Sequence, residues 1–196
     1  MVAGTTTDLM TAEEFYAWAE LPENADNRYE LENGCVRRMS APDELHVRAA
    51  AERILSGFAF QTGGIVTVGN RPLIVRRNPD TVSRPDISFS LTQVMIVGSD
   101  HPLELGLPDL VVEVESDADR YGPTTRAIRA YLRSGVPLVW LISPQDRIVT
   151  VYTASEFRVF DETEELTGNG VLPDFRCPVA SFFNWPEPAT RSEPDA

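Results

Sequence analysis

Lysine is missing from this 196-residue sequence, in which all 17 basic residues are arginine. A guanidinium group stays protonated at neutral pH, so it cannot accept a proton from water as a neutral amine can. Any mechanism that needs a lysine is therefore excluded. Positive charge, where the function requires it, must come from arginine.

Cysteine and histidine are also scarce. Cys35 and Cys177 are too few for a disulfide scaffold or a zinc cluster, and as free thiols they fit a reducing compartment. His46 and His101 do not favour a histidine-based zinc site. Residues 1–8 have neither the basic nor the apolar segment of a secretory signal, so the sequence predicts a cytoplasmic protein.

Long apolar runs are absent too, although 42% of the residues are hydrophobic. This composition predicts no membrane partner and one domain with a sizeable core, over residues 1–185. Residues 186–196 are rich in Pro, Glu, Ser and Thr, which predicts a disordered tail. The sequence has no P-loop and no dinucleotide glycine fingerprint, which disfavours nucleotide-cofactor enzymes.

Acidic residues exceed basic ones by 30 to 17, giving a net charge of −13. This charge opposes non-specific attraction to nucleic acid, so a DNA partner requires a local basic patch. The best basic stripe lies on a predicted helix over residues 124–134, where Arg126, Arg129 and Arg133 occupy neighbouring turns. A solvated helix face is the alternative interpretation.

The most informative stretch is Pro108–Ser116, a β-branched run that becomes acidic near its end. Side chains alternate along a strand, so Glu113 and Glu115 share a face with Val111, with backbones roughly 6.5–7 Å apart. Unpaired charge on a buried strand is costly, which indicates a cation beside these carboxylates. An edge strand with a solvated face is the alternative.

Asp86 is a third candidate carboxylate. It follows Pro85 at the start of a predicted strand over residues 84–89, whose partner is predicted to be the strand that carries Glu113. An aspartate after proline is also a common turn residue, so the pattern leaves both interpretations open.

Local patterns predict the remaining elements. Thr11 and Glu14 form a capping box, and Asn33-Gly34 is the strongest short hairpin signal. A helix between two strands predicts a β-α-β crossover into the apolar strand at 136–142. The other predicted elements are a helix from Asp43 to Phe60 and strands at 65–68, 72–76 and 94–97. The predicted inner face of that helix consists of Leu45, Ala49, Ala50, Ile54, Leu55 and Phe58.

An ordered set of motifs extends over nearly the whole chain, from about Met10 to Phe183. The motifs are Thr11-x-x-Glu-Phe, Arg28-Tyr-Glu-Leu-x-x-Gly34, Arg84-Pro-Asp86, Pro108-Asp-Leu-Val-Val-Glu113-Val, Tyr131-Leu-Arg-Ser-Gly135-Val136, Trp140-Leu-Ile-Ser-Pro144 and Leu172-Pro-Asp-Phe. Together they resemble the Uma-two family of bacterial endonuclease-like proteins, within the PD-(D/E)XK nuclease superfamily.

This resemblance implies an α/β fold with a restriction-endonuclease-like core, in which helices flank a mixed central β-sheet and an N-terminal helix and β-hairpin precede it. It also implies a Mg²⁺ (or Mn²⁺) site built from Asp86 and Glu113, assisted by Glu30. The sequence departs from that superfamily where a lysine near the second carboxylate activates water, because Glu115 stands there. The alternative lysine position, on the following helix, falls near Ala127.

The hypothesis is metal-dependent hydrolysis of DNA, with Asp86, Glu113 and Glu115 holding one or two ions and Arg126 or Arg129 binding the scissile phosphate. A homodimer is expected, because cutting both strands of a duplex needs two sites related by symmetry. The rival hypothesis is a nuclease fold that has lost catalysis and acts as a binding or regulatory module. A single basic surface around the acidic residues would favour the first hypothesis.

Overall fold

The fold is described from a computed structural model, which covers residues 9–39, 45–69, 72–91, 106–116 and 123–184. Within these residues the helices are α1 (Ala12–Ala19), α2 (Pro22–Ala25), α3 (Leu45–Thr62) and α4 (Pro123–Ser134). The strands are β1 (Tyr29–Glu32), β2 (Cys35–Arg38), β3 (Ile65–Val68), β4 (Leu73–Arg76), β5 (Thr81–Ser83), β6 (Ile87–Ser90), β7 (Leu110–Val114), β8 (Leu138–Ser143), β9 (Ile148–Tyr152), β10 (Phe157–Asp161), β11 (Glu165–Thr167) and β12 (Arg176–Pro178). A 3₁₀ helix, Val179–Phe182, follows β12.

The first helix begins where its capping box predicts. The backbone N–H of Glu14 donates to Thr11 Oγ1 at 3.2 Å, and the N–H of Thr11 donates to the Glu14 carboxylate at 2.8 Å. Phe15 is fully buried against Leu31 and Val82, so α1 covers the strands β1 and β5.

The Asn33-Gly34 hairpin is also confirmed, since β1 and β2 pair antiparallel on either side of it. Asn33 has φ of +55° and Gly34 has φ of +78°, the left-handed conformations that a two-residue turn of this kind requires. A Cβ atom on Gly34 would lie 2.6 Å from the Cβ of Leu9.

Gly34→Ala is therefore expected to lower the free energy of unfolding by about 1–2 kcal/mol from the left-handed backbone alone, with the overlap at Leu9 adding to it. Urea denaturation measures the change. Gly57→Ala is the matched control, because Gly57 is helical and a Cβ there meets nothing within 4 Å. We expect that control to be neutral or stabilising; an equal loss in both variants would contradict the prediction.

The third helix presents a different face to the sheet than the sequence predicts. Val47, Ala51 and Leu55 are fully buried, whereas Leu45 and Ala49 are exposed. The reason is angular: at 100° per residue, positions 45 and 49 lie on the opposite side of the helix from position 47. The other predicted positions, Ala50, Ile54, Leu55 and Phe58, are buried or half-buried as expected.

The central sheet is mixed, as the sequence predicts. Its strand order is β10-β9-β8-β7-β6-β3, and β7 and β8 are its parallel pair, joined through α4. A four-stranded sheet of order β2-β1-β5-β4 lies beside it, and β11 pairs with β12. The flanking helices pack on opposite faces: α3 contributes to one apolar core and α4 to another.

The predicted strand at residues 84–89 begins only at Ile87 in the structure, as β6. β5 belongs to the four-stranded sheet and β6 to the six-stranded sheet, while Arg84, Pro85 and Asp86 connect them. Proline has no N–H to donate to a ladder, so β5 does not continue through Pro85. Asp86 thus stands at the junction of the two sheets, directly before β6, and β6 pairs with β7 as predicted.

Alternation along β7 divides its side chains between the two cores. Leu110 and Val112 are buried on the α3 side, and Val111 is buried on the α4 side. Glu113 follows the parity of Val111 and faces α4, where it meets Tyr131.

Several sequence predictions lie outside the described residues: the strand at 94–97, the tail at 186–196 and the Asp43 start of α3. In the part of the chain that the structure describes, no helix has both the length and the apolar character needed to cross a bilayer.

Candidate functional site

A cavity of about 600 Å³ opens at the junction of the two sheets, against α4. It is lined by both carboxylates and guanidinium groups. Its acidic residues are Glu30, Glu32, Asp86 and Glu113, and its basic residues are Arg28, Arg37, Arg38, Arg48, Arg76, Arg84, Arg126, Arg129 and Arg133. Nine of the chain's 17 arginines therefore face one cavity in a protein of net charge −13.

Asp86 is buried in this cavity and uses both carboxylate oxygens. Its Oδ2 accepts the backbone N–H of Val114 at 2.9 Å, which ties the start of β6 to the end of β7. Its Oδ1 accepts Arg28 Nη1 at 3.1 Å and lies 3.6 Å from Arg48 Nη1. The structure therefore places Asp86 in an ion-paired site and not in a solvated turn.

Glu113 lies in the same cavity, and its Oε1 accepts the hydroxyl of Tyr131 at 2.7 Å. Burial raises the pKa of Glu113 well above its ordinary value, and the neighbouring charge of Asp86 raises it further. The Tyr131 hydroxyl and Arg28 oppose this shift without cancelling it. A buried carboxyl of this kind attracts either a proton or a cation.

The raised pKa of Glu113 predicts how stability depends on pH. The folded state binds a proton more readily than the unfolded state, so the contribution of Glu113 to stability is lost as pH rises from about 4.5 toward the raised folded pKa. Glu113→Gln carries no such cost, since its amide is neutral. We expect this variant to be more stable than the wild type at pH 7–8, with equal stability below pH 4.5.

Thermal unfolding across this pH range measures the effect. Glu165→Gln is the matched control, because Glu165 is exposed on β11, where it pairs with Arg176. A stability difference for Glu113→Gln that stays constant with pH would contradict the assignment of the raised pKa.

Glu30 projects into the same cavity from β1. Its Oε1 accepts the backbone N–H of Arg84 at 2.8 Å, and burial raises the pKa of its carboxyl although Arg28 lies nearby. Among the described residues, no group of three or more His, Cys, Asp or Glu side chains is arranged to hold a metal ion. Asp86 and Glu113 are thus the central pair, with Glu30 as a neighbour.

Glu115 is placed differently from the other predicted ligands. β7 ends at Val114, and the N–H of Glu115 donates to the carbonyl of Ile142 on β8 at 2.9 Å. Glu115 is not among the residues that line the cavity, and its charge acts on Tyr152, whose pKa is raised first by burial and then by this carboxylate. Its participation in the site stays a prediction.

Two arginines at the carboxylate pair are additions that sequence reasoning missed. Arg28 precedes β1 and Arg48 lies on α3, separated from Asp86 by 58 and 38 residues. Gly69 has φ of +66° and lacks the Cβ that would collide with the Arg48 guanidinium. The sequence indicates only indirectly that arginines lie there, because buried carboxylates require cations. The residues near Asp86 in the sequence do not identify which arginines supply the charge.

The predicted basic stripe does face the cavity. Arg126, Arg129 and Arg133 follow one another at helical spacing on α4 and all line it. Arg126 Nε lies 3.7 Å from Glu32 Oε1. Arg129 and Arg133 are exposed and form no ion pair with any described acidic residue.

The basic surface extends to the opposite wall. Arg37, Arg38 and Arg76 line the cavity from β2 and β4, whereas Arg77 pairs with Glu13 and Asp80 instead. These three arginines therefore share one surface with Arg126 and Arg129 of α4. This is the arrangement that favours an anionic ligand over a scattered, solvating charge.

Comparisons with known proteins agree with this architecture. A crystal structure of a putative nuclease belonging to DUF820, from Anabaena variabilis ATCC 29413, is similar to this chain with a TM-score of 0.74 and 21% identity. The alignment covers 90% of this chain and 98% of that one. No curated protein is significantly similar. The family model Uma2, described as "Putative restriction endonuclease", matches residues 12–180, and the chain therefore belongs to the Uma2 (Uma-two) family.

Proposed function

We propose that this protein is a metal-dependent endonuclease that hydrolyses phosphodiester bonds of DNA. The observation that carries the proposal is the carboxylate pair, Asp86 and Glu113, inside a cavity lined by nine arginines. Clustered guanidinium groups bind phosphate, and paired carboxylates bind a divalent cation. Both are needed where a phosphodiester is to be cut.

The donor set fits Mg²⁺ or Mn²⁺. Carboxylate oxygens are the ligands these ions prefer, and Mg²⁺ keeps several waters, so two protein carboxylates suffice. Asp86 and Glu113 would hold the ion, with Glu30 beside them. When bound, the ion supplies Lewis-acid activation of water and of the phosphate. Glu115 as a further ligand or as a base remains part of the proposal, to be tested separately.

The chain's own residues supply orientation and charge. Tyr131 holds the Glu113 carboxyl through its hydroxyl, and the backbone of Val114 holds Asp86. Arg126 and Arg129 would bind the substrate phosphates, an electrostatic role that counts most when charge develops in the transition state. Arg28 and Arg48 provide the positive charge that a lysine provides in related nucleases, without serving as a base.

The test is a plasmid-nicking assay with Mg²⁺ or Mn²⁺, run beside calorimetric titration of the same ions into the protein. We expect nicking that requires the ion and stops with a chelator, together with a binding isotherm. No nicking and no metal binding at any ion concentration would refute the proposal.

A second candidate, a nuclease fold that binds without cleaving, is favoured by one observation. Asp86 is already paired with Arg28 and lies near Arg48, in a chain without lysine. This candidate predicts DNA binding in the arginine-lined cavity that neither needs a divalent ion nor leads to nicking. A gel-shift assay with and without chelator separates the two functions.

The predicted homodimer and cytoplasmic location belong to this proposal as well. Sedimentation measures the first: a dimer is expected, because two symmetric sites are needed to cut both strands of a duplex.

A further inference from the structure

Arg28 makes an incomplete set of contacts at the carboxylate pair. Its Nη1 donates to Asp86 Oδ1 at 3.1 Å, and its Nη2 donates to the carbonyl of Arg84. Its Nε is buried and has no hydrogen-bond partner among the described residues. A guanidinium carries five N–H donors, so Arg28 retains donors for a further acceptor.

The charges around Arg28 explain why it lies there. Burial on its own would lower the pKa of Arg28, but Asp86, Glu113 and Glu30 more than offset burial and raise it. Arg28 therefore remains a cation where the fields of three carboxylates overlap. That region is also where a divalent ion on Asp86 and Glu113 would experience the strongest attraction.

Two cations cannot both use Asp86 Oδ1 without repelling each other. Mg²⁺ binds carboxylate oxygen at about 2.0–2.1 Å, well inside the 3.1 Å of the Arg28 contact. Arg48 is less affected, because its Nη1 is 3.6 Å from Oδ1 and its Nη2 donates to the backbone carbonyl of Asp86 at 3.4 Å. The direct competitor of the ion is thus Arg28.

We propose that Arg28 is an exchangeable cation, which neutralises Asp86 until a divalent ion binds there and then turns its free N–H donors to a substrate phosphate. This inference rests on the proposed function. The exchange uses the guanidinium's planar set of donors, which matches phosphate oxygens. It also keeps the carboxylate pair neutralised when no ion is bound.

The test is Mg²⁺ titration by calorimetry of the wild type, Arg28→Gln and Arg28→Lys, with thermal unfolding to verify the fold. Arg28→Gln is expected to bind Mg²⁺ about tenfold more tightly, the shift that removal of one charge-assisted competitor gives. The same variant is expected to bind labelled DNA about tenfold more weakly. Arg28→Lys keeps the positive charge but loses the second donor contact that the guanidinium makes. Its affinities for Mg²⁺ and for DNA are expected to lie between those of the wild type and Arg28→Gln.

Arg176→Gln is the matched control, since Arg176 lies outside the cavity and pairs with Glu165 at 2.9 Å. Its Mg²⁺ affinity should equal that of the wild type. If Arg28→Gln binds Mg²⁺ no more tightly than the wild type, the exchange is overturned. If Arg28→Gln does not fold, Mg²⁺ binding by Arg28→Lys that is no tighter than in the wild type overturns the exchange instead.

The proposed function and the exchange fail in different ways. If the wild type binds Mg²⁺ and nicks DNA but neither Arg28 variant binds the ion more tightly, the exchange alone is refuted. If neither the wild type nor the variants bind Mg²⁺, both are refuted. Mg²⁺ binding that appears only after Arg28 is replaced means that Arg28 blocks the ion and does not exchange with it, which refutes both the exchange and a metal-dependent function of the wild type.

Discussion

Replacement of Glu113 by glutamine is expected to abolish metal-dependent nicking while the protein stays folded. Glutamine is nearly isosteric and its Oε1 can still accept the Tyr131 hydroxyl, but it removes the negative charge of one of the two carboxylates in the pair. The loss should reach about three orders of magnitude, as for removal of one preorganised electrostatic group in an active site. Mg²⁺ binding should be lost in calorimetry.

Glu115→Gln provides the informative contrast, because Glu115 does not line the cavity. If Glu115 is a ligand, its variant should match Glu113→Gln in both metal binding and nicking; if it is not, it should match the wild type. Glu165→Gln controls for a change of one charge on the surface. Unchanged nicking in Glu113→Gln would eliminate the carboxylate pair as the catalytic centre.

The second large effect concerns the stripe on α4. The double substitution Arg129→Gln and Arg133→Gln is expected to weaken DNA binding roughly eightfold per lost phosphate contact at 0.1 M salt, since the binding constant falls with salt concentration to the power of about −0.9 per contact. Neither arginine forms an ion pair with a described acidic residue, so each has its full charge for the ligand. Arg126→Gln should have a smaller effect, because Glu32 lies 3.7 Å from it.

Fluorescence anisotropy with labelled DNA over a series of salt concentrations measures both the affinity and its salt slope. A non-cleaving background, Glu113→Gln, keeps the DNA intact during the measurement. The matched control is Arg158→Gln with Arg176→Gln, two arginines outside the cavity that pair with Glu164 and Glu165. Equal losses in both double variants would mean that only overall charge, and not the cavity, binds DNA.

Elements that depend on a few neighbouring residues could be predicted from the sequence. The Thr11 capping box and the Asn33-Gly34 turn form within three or four positions, and both are present. The parallel β7–α4–β8 unit follows from an apolar run on each side of a helical pattern. The proximity of Asp86 and Glu113 was predictable because Asp86 directly precedes β6, Glu113 lies on β7, and the two strands are neighbours.

Features that depend on how the two sheets meet could not be predicted. Arg28 and Arg48 reach Asp86 across 58 and 38 residues of sequence, and the approach of Arg28 is decided by the packing of the four-stranded sheet. Glu115 has the right parity for the site, but the strand ends at Val114, so parity alone does not fix where its side chain lies and its place in the site stays a prediction. The predicted strand at 84–89 began three residues too early, because the local pattern does not show that Arg84, Pro85 and Asp86 connect two different sheets.

The connection from Arg84 to Asp86 joins two sheets that contribute different residues to the cavity. The carboxylate pair is carried by the six-stranded sheet, where the Val114 N–H locks Asp86 in place. Glu30 lies on β1 of the other sheet, which also carries the arginines of β2 and β4, and Arg28 directly precedes β1. Mutations on the smaller sheet can therefore change the arginines that line the cavity while Asp86 and Glu113 keep their positions on the larger sheet.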